Sequence, residues 1–235
     1  MSNPIKDYGW EPVPRSFNQL LATRPEQNKK AEPIQIDSIE LPETKLAQDI
    51  LDYARKELSE PTFNHSMRVY YYGRAITLQQ FPHFSYTPET YLLLCLLHDI
   101  GTTPQNLHST HLSFEFQGGM IAHSLLRAHA SPVPQAEAVT EAIIRHQDLG
   151  ETGNITTLGA LVQLATVFDN VGMNPELVAR ETIESVVGKW PRLGWTACFA
   201  GVVREEEGSK PWSHTTAIEN FAEKVEGNVL MRPYD

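Results

Sequence analysis

The chain has 235 residues with 29 acidic and 19 basic side chains, a formal net charge of −10 with its histidines neutral. That balance argues against a general nucleic-acid binder, which relies on Lys and Arg to neutralise phosphates, and against a basic helix lying on a membrane surface; no basic run longer than a pair occurs. Hydrophobic residues at 41% and aromatics at 9% suit one globular domain with a sizeable core and exclude disorder over most of the length.

Residues 1–42 hold six of the 16 prolines and show no sustained apolar period, so they read as an extended N-terminal arm laid on the domain and anchored by Tyr8, Trp10 and Phe17. Met1 to Trp10 has no apolar stretch of the kind a secretory signal needs. The catalytic domain is expected over 43–235. From Pro42-Glu43 onward Leu46, Ile50, Tyr53, Ala54 and Leu58 recur at helical steps. A helix from Pro61 carries His65, Arg68, Val69 and Tyr72. The apolar run Tyr91 to Leu97 stops at His98-Asp99, far short of the roughly 20 residues that span a bilayer. Another helix is expected after Gly118-Gly119. Over Gln135 to His146, residues Val139, Ala142, Ile143 and His146 fall on one stripe, and Thr156 to Val171 turns Leu158, Leu161, Val162, Ala165 and Asp169 inward. No stretch offers consecutive alternating strands. The expected fold is all-α, a helical bundle around a centre. Cys95 and Cys198, both among apolar neighbours, supply no disulfide framework, so a reducing cytoplasmic or nuclear compartment is expected.

Four polar residues stand on apolar helix faces: His65, His98, Asp99 and Asp169. Burying such groups without partners costs several kcal/mol each, roughly. Any one histidine alone reads more readily as a hydrogen-bonded core residue. The adjacent pair His98-Asp99 directly after Leu92 to Leu97 is harder to satisfy structurally. One divalent transition metal held by two imidazoles and two carboxylates would compensate all four and leave positions open for water.

These residues resemble the pattern of the HD-domain superfamily of metal-dependent hydrolases: His65 in Asn64-His65-Ser66, then His98-Asp99, then distant Asp169. The stretches LLHDIGTT, SFEFQGG, TEAIIRHQDLGETGNITTLG, QLATVFDNVG and KPWSHTT are similar to the fungal cyanamide hydratases, which add water to cyanamide to give urea. The resemblance runs from about residue 43 to near the end. It implies an HD-type bundle and a single zinc ion, with Fe2+ or Mn2+ as less favoured occupants of the same ligands. HD nucleotidases place a Glu where Thr102 stands, and dinuclear members place a His where Phe114 stands. Both departures weigh against phosphomonoester hydrolysis and a second metal.

A nitrile needs a strong nucleophile at carbon and a proton at nitrogen, and a metal that lowers the pKa of water to about 7 provides the nucleophile. With no second metal, His146 is left for proton transfer or for orienting a ligand; Asp148 is expected to orient it or to sit in a solvated turn; Thr102 is expected either to touch substrate or to satisfy loop backbone groups. Trp212 is expected to anchor His214 and its loop over the site, while the remaining histidines read as surface or capping residues. The competing readings are an HD phosphohydrolase acting on nucleoside monophosphates and a non-catalytic helical interaction domain. The expected partner is a small neutral nitrile, with neither nucleic acid nor membrane. The arm is long enough to clasp its own domain or a second copy, so a homo-oligomer is among the allowed arrangements.

Overall fold

Hydroxyl side chains cap half of the long helices. In a computed structural model describing residues 3–235, Thr44, Ser59, Thr87 and Thr156 each accept a hydrogen bond from the backbone N–H three residues on. Proline in the first turn assists at two of these ends, where its missing N–H has no helical partner to lose.

The arm contributes α1 (Pro4–Asp7), β1 (Pro12–Pro14) and α2 (Phe17–Leu21), then a 3-10 turn at Ile36–Ser38. The bundle follows as α3 (Lys45–Glu57), α4 (Glu60–Gln80), α5 (Pro88–Leu97), α6 (Pro104–His108), α7 (Phe114–Ala128), α8 (Val133–Ile144), β2 (Asn154–Thr156), α9 (Thr157–Val171), α10 (Arg180–Lys189), α11 (Trp195–Ser209) and α12 (Phe221–Glu226). Three helices are buried on nearly every side: α4 over most of its length, α5 from Thr90 to Leu97, and α9 from Thr157 to Asn170. Helix α4 packs against α5 and α9, α5 also against α3 and α8, and α7 against α8. The expected all-α bundle is the observed architecture, with one small two-stranded sheet among the described residues. No helix among them is long and apolar enough to cross a membrane.

That sheet belongs to the arm, which is less extended than its prolines suggest. β1 pairs antiparallel with β2, Val13 opposite Ile155. Trp10 Nε1 donates to the Pro134 carbonyl at 3.1 Å, and Tyr8, Trp10 and Phe17 pack against the main core that Leu20, Ile36 and Ile39 enter.

Two other expectations shift. Helix α7 begins at Phe114, before the Gly118-Gly119 pair, which lies inside it. The glycines mark close approach: a Cβ on Gly119 would sit 2.6 Å from Ile144 of α8, and one on Gly101 would sit 2.0 Å from the Phe114 carbonyl oxygen. Helix α8 ends at Ile144, so His146 stands beyond it, its N–H bonded to the Ile143 carbonyl at 3.2 Å. The apolar period places His146 inward correctly but cannot say where the helix stops.

Gly101→Ala is expected to destabilise by about 2 kcal/mol or more, because backbone on α7 would have to move. Gly201→Ala, in open space inside α11, is expected to stabilise by up to about 1 kcal/mol. Thermal melts of both variants check this: opposite signs support the packing described, and equal shifts contradict it.

Candidate metal centre

His65 lies in the second turn of α4, His98 and Asp99 follow the end of α5, and His146 follows the end of α8. His65, His98 and Asp99 each bring a ligand atom within 4.8 Å of the others, and all three are buried. The two Nε2 atoms are 3.2 Å apart, and Asp99 Oδ2 is 3.3 Å from His98 Nε2 and 3.7 Å from His65 Nε2. From the other side, His146 Nε2 stands 3.9 Å from Asp99 Oδ1, its ring nearly perpendicular to that of His98.

Each imidazole is oriented by its other nitrogen. His65 Nδ1 is 2.6 Å from Asp169 Oδ2, His98 Nδ1 is 2.8 Å from the Cys95 carbonyl, and His146 Nδ1 is 2.6 Å from the Ile143 carbonyl. Carbonyl and ionised carboxylate oxygens only accept, so every Nδ1 carries a hydrogen and every neutral ring turns an Nε2 lone pair inward. Two lone pairs and a carboxylate therefore converge, with the His146 lone pair on the other side of Asp99, and Asp99 Oδ2 has no hydrogen-bond donor. Such an arrangement repels itself unless a cation sits within it, and the pinned Nδ1–H groups are what metal-binding histidines usually show.

Titration behaviour agrees. Burial brings His65 down to about 4 against the pull of Asp169, and burial with neighbouring His98 lowers His146 as well. At His98 burial opposes charge too, yet the Asp99 carboxylate outweighs it and raises the ring above its usual value. Burial would raise the Asp99 carboxyl, but the surrounding imidazoles, His98 first, hold it well below the usual carboxylate range. His98 is thus the ring of the three whose surroundings most favour the protonated form.

Asp169, expected as a fourth ligand, stands behind His65 instead. Its oxygens accept from Arg68 Nη2 at 2.9 Å and Arg192 Nη1 at 2.8 Å as well as from His65. The helical period turned it inward, but two arginines had already claimed its charge. Asp148 is likewise taken, by Arg15 Nη2 at 2.5 Å and Arg145 Nε at 3.0 Å, which ties the arm to the loop after His146. Thr102 Oγ1 donates to the Asp99 carbonyl at 2.7 Å, a backbone role that firms the turn after the ligand. His214 meets buried Glu115 at 2.8 Å, a contact that raises its pKa, while Trp212 is 60% exposed and lies on His111 rather than over the site.

A cavity of about 20 Å³ adjoins the centre, enough for one water or a small linear molecule. His98, Asp99, His146, Gln147, Thr166 and Asn170 form its polar lining; Leu149, Val167, Val171, Ile218 and Phe221 form the rest. Neither Phe114 nor Tyr72 lines it, although the Phe114 ring packs on His146. Sequence reasoning missed Arg192, Trp195 and Asn170. Trp195 stacks on His65 with ring centroids 4.3 Å apart, and its Nε1 donates to Asn170 Oδ1 at 2.7 Å. Arg192 and Trp195 flank a turn with no periodic signal, and Asn170 entered the reading only within the stretch QLATVFDNVG.

Asp169→Asn leaves Arg68 buried without its counter-charge and Arg192 with only Asp235, and is expected to cost about 3–5 kcal/mol. Burial opposes the Asp169 charge, but the two arginines hold its carboxyl well below the usual range. Its stabilisation is therefore complete above the ordinary carboxylate pKa of about 4 and is lost as pH falls below it. Denaturant midpoints between about pH 2 and 6 should show a steeper acid limb for the parent than for the variant; equal slopes would contradict the pairing.

The HD domain family model matches residues 62–171, the stretch that contains all of these histidines except His214 and both site aspartates. Two proteins of Saccharomyces cerevisiae, Cyanamide hydratase DDI2 and Cyanamide hydratase DDI3, are each 41% identical to this chain over 223 residues, covering 94% of it and 96% of the relative. Identity at that level along nearly the full length of both partners, together with an HD-type centre, makes the chain a member of the cyanamide hydratase family of HD-domain proteins.

Proposed function

We propose that this chain hydrates cyanamide to urea at one zinc ion held by His65, His98, Asp99 and His146. The observation that carries the reading is the pairing of that donor set with a small adjoining cavity whose polar lining includes His98, Asp99, His146, Thr166 and Asn170. No Lys or Arg lines the cavity to receive the phosphate of a nucleoside monophosphate. A purely structural ion is disfavoured by the same cavity, since a closed structural site leaves no approach for substrate. Three nitrogens and a carboxylate suit zinc, and the family relationship favours it over iron or manganese.

Bound there, the metal supplies Lewis acidity and lowers the pKa of a water to about 7. The chain's own groups do the rest. Asp169 and the Cys95 and Ile143 carbonyls fix the ring tautomers, so each ring, His146 included, turns an Nε2 lone pair toward the centre. Asn170 Oδ1 is occupied by the Trp195 N–H, so its Nδ2–H group is the donor offered to the cavity, where it can meet the nitrile nitrogen as negative charge develops. The Thr166 hydroxyl donates to the Val162 carbonyl at 2.9 Å, which leaves its oxygen to accept an N–H from the amino end of cyanamide. Water gives up one proton and the nitrile nitrogen takes one, with no net change. Apolar walls keep bulk water from the reacting carbon. The cysteines are both free, in keeping with a reducing cytoplasmic compartment.

Urea release from cyanamide, measured beside phosphate release from a nucleotide panel, tests the reading; phosphate without urea would sink it. Chelation should abolish urea release and zinc should restore it, with elemental analysis of the purified protein giving one ion per chain. Asn170→Ala is expected to lower kcat by about 100-fold with the ion retained. His146→Ala should lose the ion itself.

A further inference from the structure

The cavity has two walls of different origin. The polar centre and Leu149, Val167 and Val171 come from within residues 62–171, the stretch matched by the HD family. Ile218 and Phe221 come from the C-terminal segment beyond it. That segment has a hydrophobic cluster of its own, separate from the main core, in which Trp195, Phe199, Val203, Phe221 and Val225 pack with Ile218 at the edge. Phe221 opens α12 directly after Asn220, whose φ of 52° turns the chain sharply, and its ring meets Phe199 edge-on at 5.5 Å. Polar ties hold the stretch before Ile218 against the bundle: His214 to Glu115 at 2.8 Å, and Thr215 to Gln147 at 3.4 Å, next to His146.

We propose that Ile218 and Phe221 set the size limit of the substrate, admitting unsubstituted cyanamide and excluding cyanamides alkylated on the amino nitrogen. The inference rests on the hydration reading above. With the nitrile carbon beside the metal centre, the amino nitrogen is the end of the molecule that carries any substituent. Ile218 and Phe221 are the part of the cavity lining contributed from outside the metal-bearing stretch, so a methyl group on the amino nitrogen is met by the cavity wall they help to form. The Val167 and Val171 wall is part of α9, a helix buried between α4 and α8 and locked to the ligand-bearing core. The Ile218 and Phe221 wall belongs to the smaller cluster, in which Trp195 stacks on His65, so bound metal is measured in each variant to separate a changed wall from a disturbed centre.

The test compares kcat/KM for cyanamide and N-methylcyanamide in the parent, Ile218→Ala and Phe221→Leu, with bound metal and melting temperature measured for each. The parent should prefer cyanamide by at least tenfold, in line with what one methyl group is worth in a close-fitting pocket. Either variant should narrow that preference by about tenfold while retaining its ion. Calorimetric titration with urea and N-methylurea should show the same change in ranking without turnover. Ile218 is partly exposed, so its variant keeps the test valid if Phe221→Leu fails to fold. An unchanged preference in Ile218→Ala, with urea still released by the parent, overturns this inference alone; no urea from the parent overturns the hydration reading and this inference with it.

Discussion

Two imidazole nitrogens 3.2 Å apart, both facing an aspartate oxygen that lacks a donor, make a centre that the dry interior of a bundle tolerates only around positive charge. Much of the surrounding architecture maintains this tension. Asp169 sits between Arg68 and Arg192 and pins His65 by its far nitrogen, while carbonyls at the ends of α5 and α8 pin the other two rings. The buried ion pairs need not add net stability, since desolvating their charges offsets the attraction. Their effect is orientation: an imidazole whose Nδ1–H is committed has one direction in which to offer its lone pair.

The same logic explains why carboxylates equally turned inward have different roles. Asp99 has no arginine and faces the histidines; Asp169 has two and faces one ring from behind. Asp148, at the edge, balances Arg15 and Arg145 and thereby couples the arm to the loop beside the centre. Charge balance around each group, more than its helix face, separates a ligand from a support.

Burial patterns and helix starts were legible in the residues. Thr44, Ser59, Thr87 and Thr156 precede apolar periods and cap the helices those periods form. The improbable polar pair after Leu97 signalled the centre, because no core residue of ordinary kind explains an adjacent histidine and aspartate there. Gly118-Gly119 misled, since glycine reads locally as a helix breaker, whereas here it permits close packing of α7 on its neighbours. The arm's prolines likewise concealed short helices and a strand whose partner lies about 140 residues away, a pairing that no local period encodes.

The sequence by itself determined the class of fold and the identity of His65, His98 and Asp99 as groups that need compensation, because hydrophobic period and the cost of burying charge are properties of short segments. Tertiary structure alone decided that Arg68 and Arg192 share Asp169, that His146 points its Nε2 at Asp99, and that Ile218 and Phe221 complete a cavity begun by α9. Those relations join residues distant in the chain, and their energies depend on distance and direction across space.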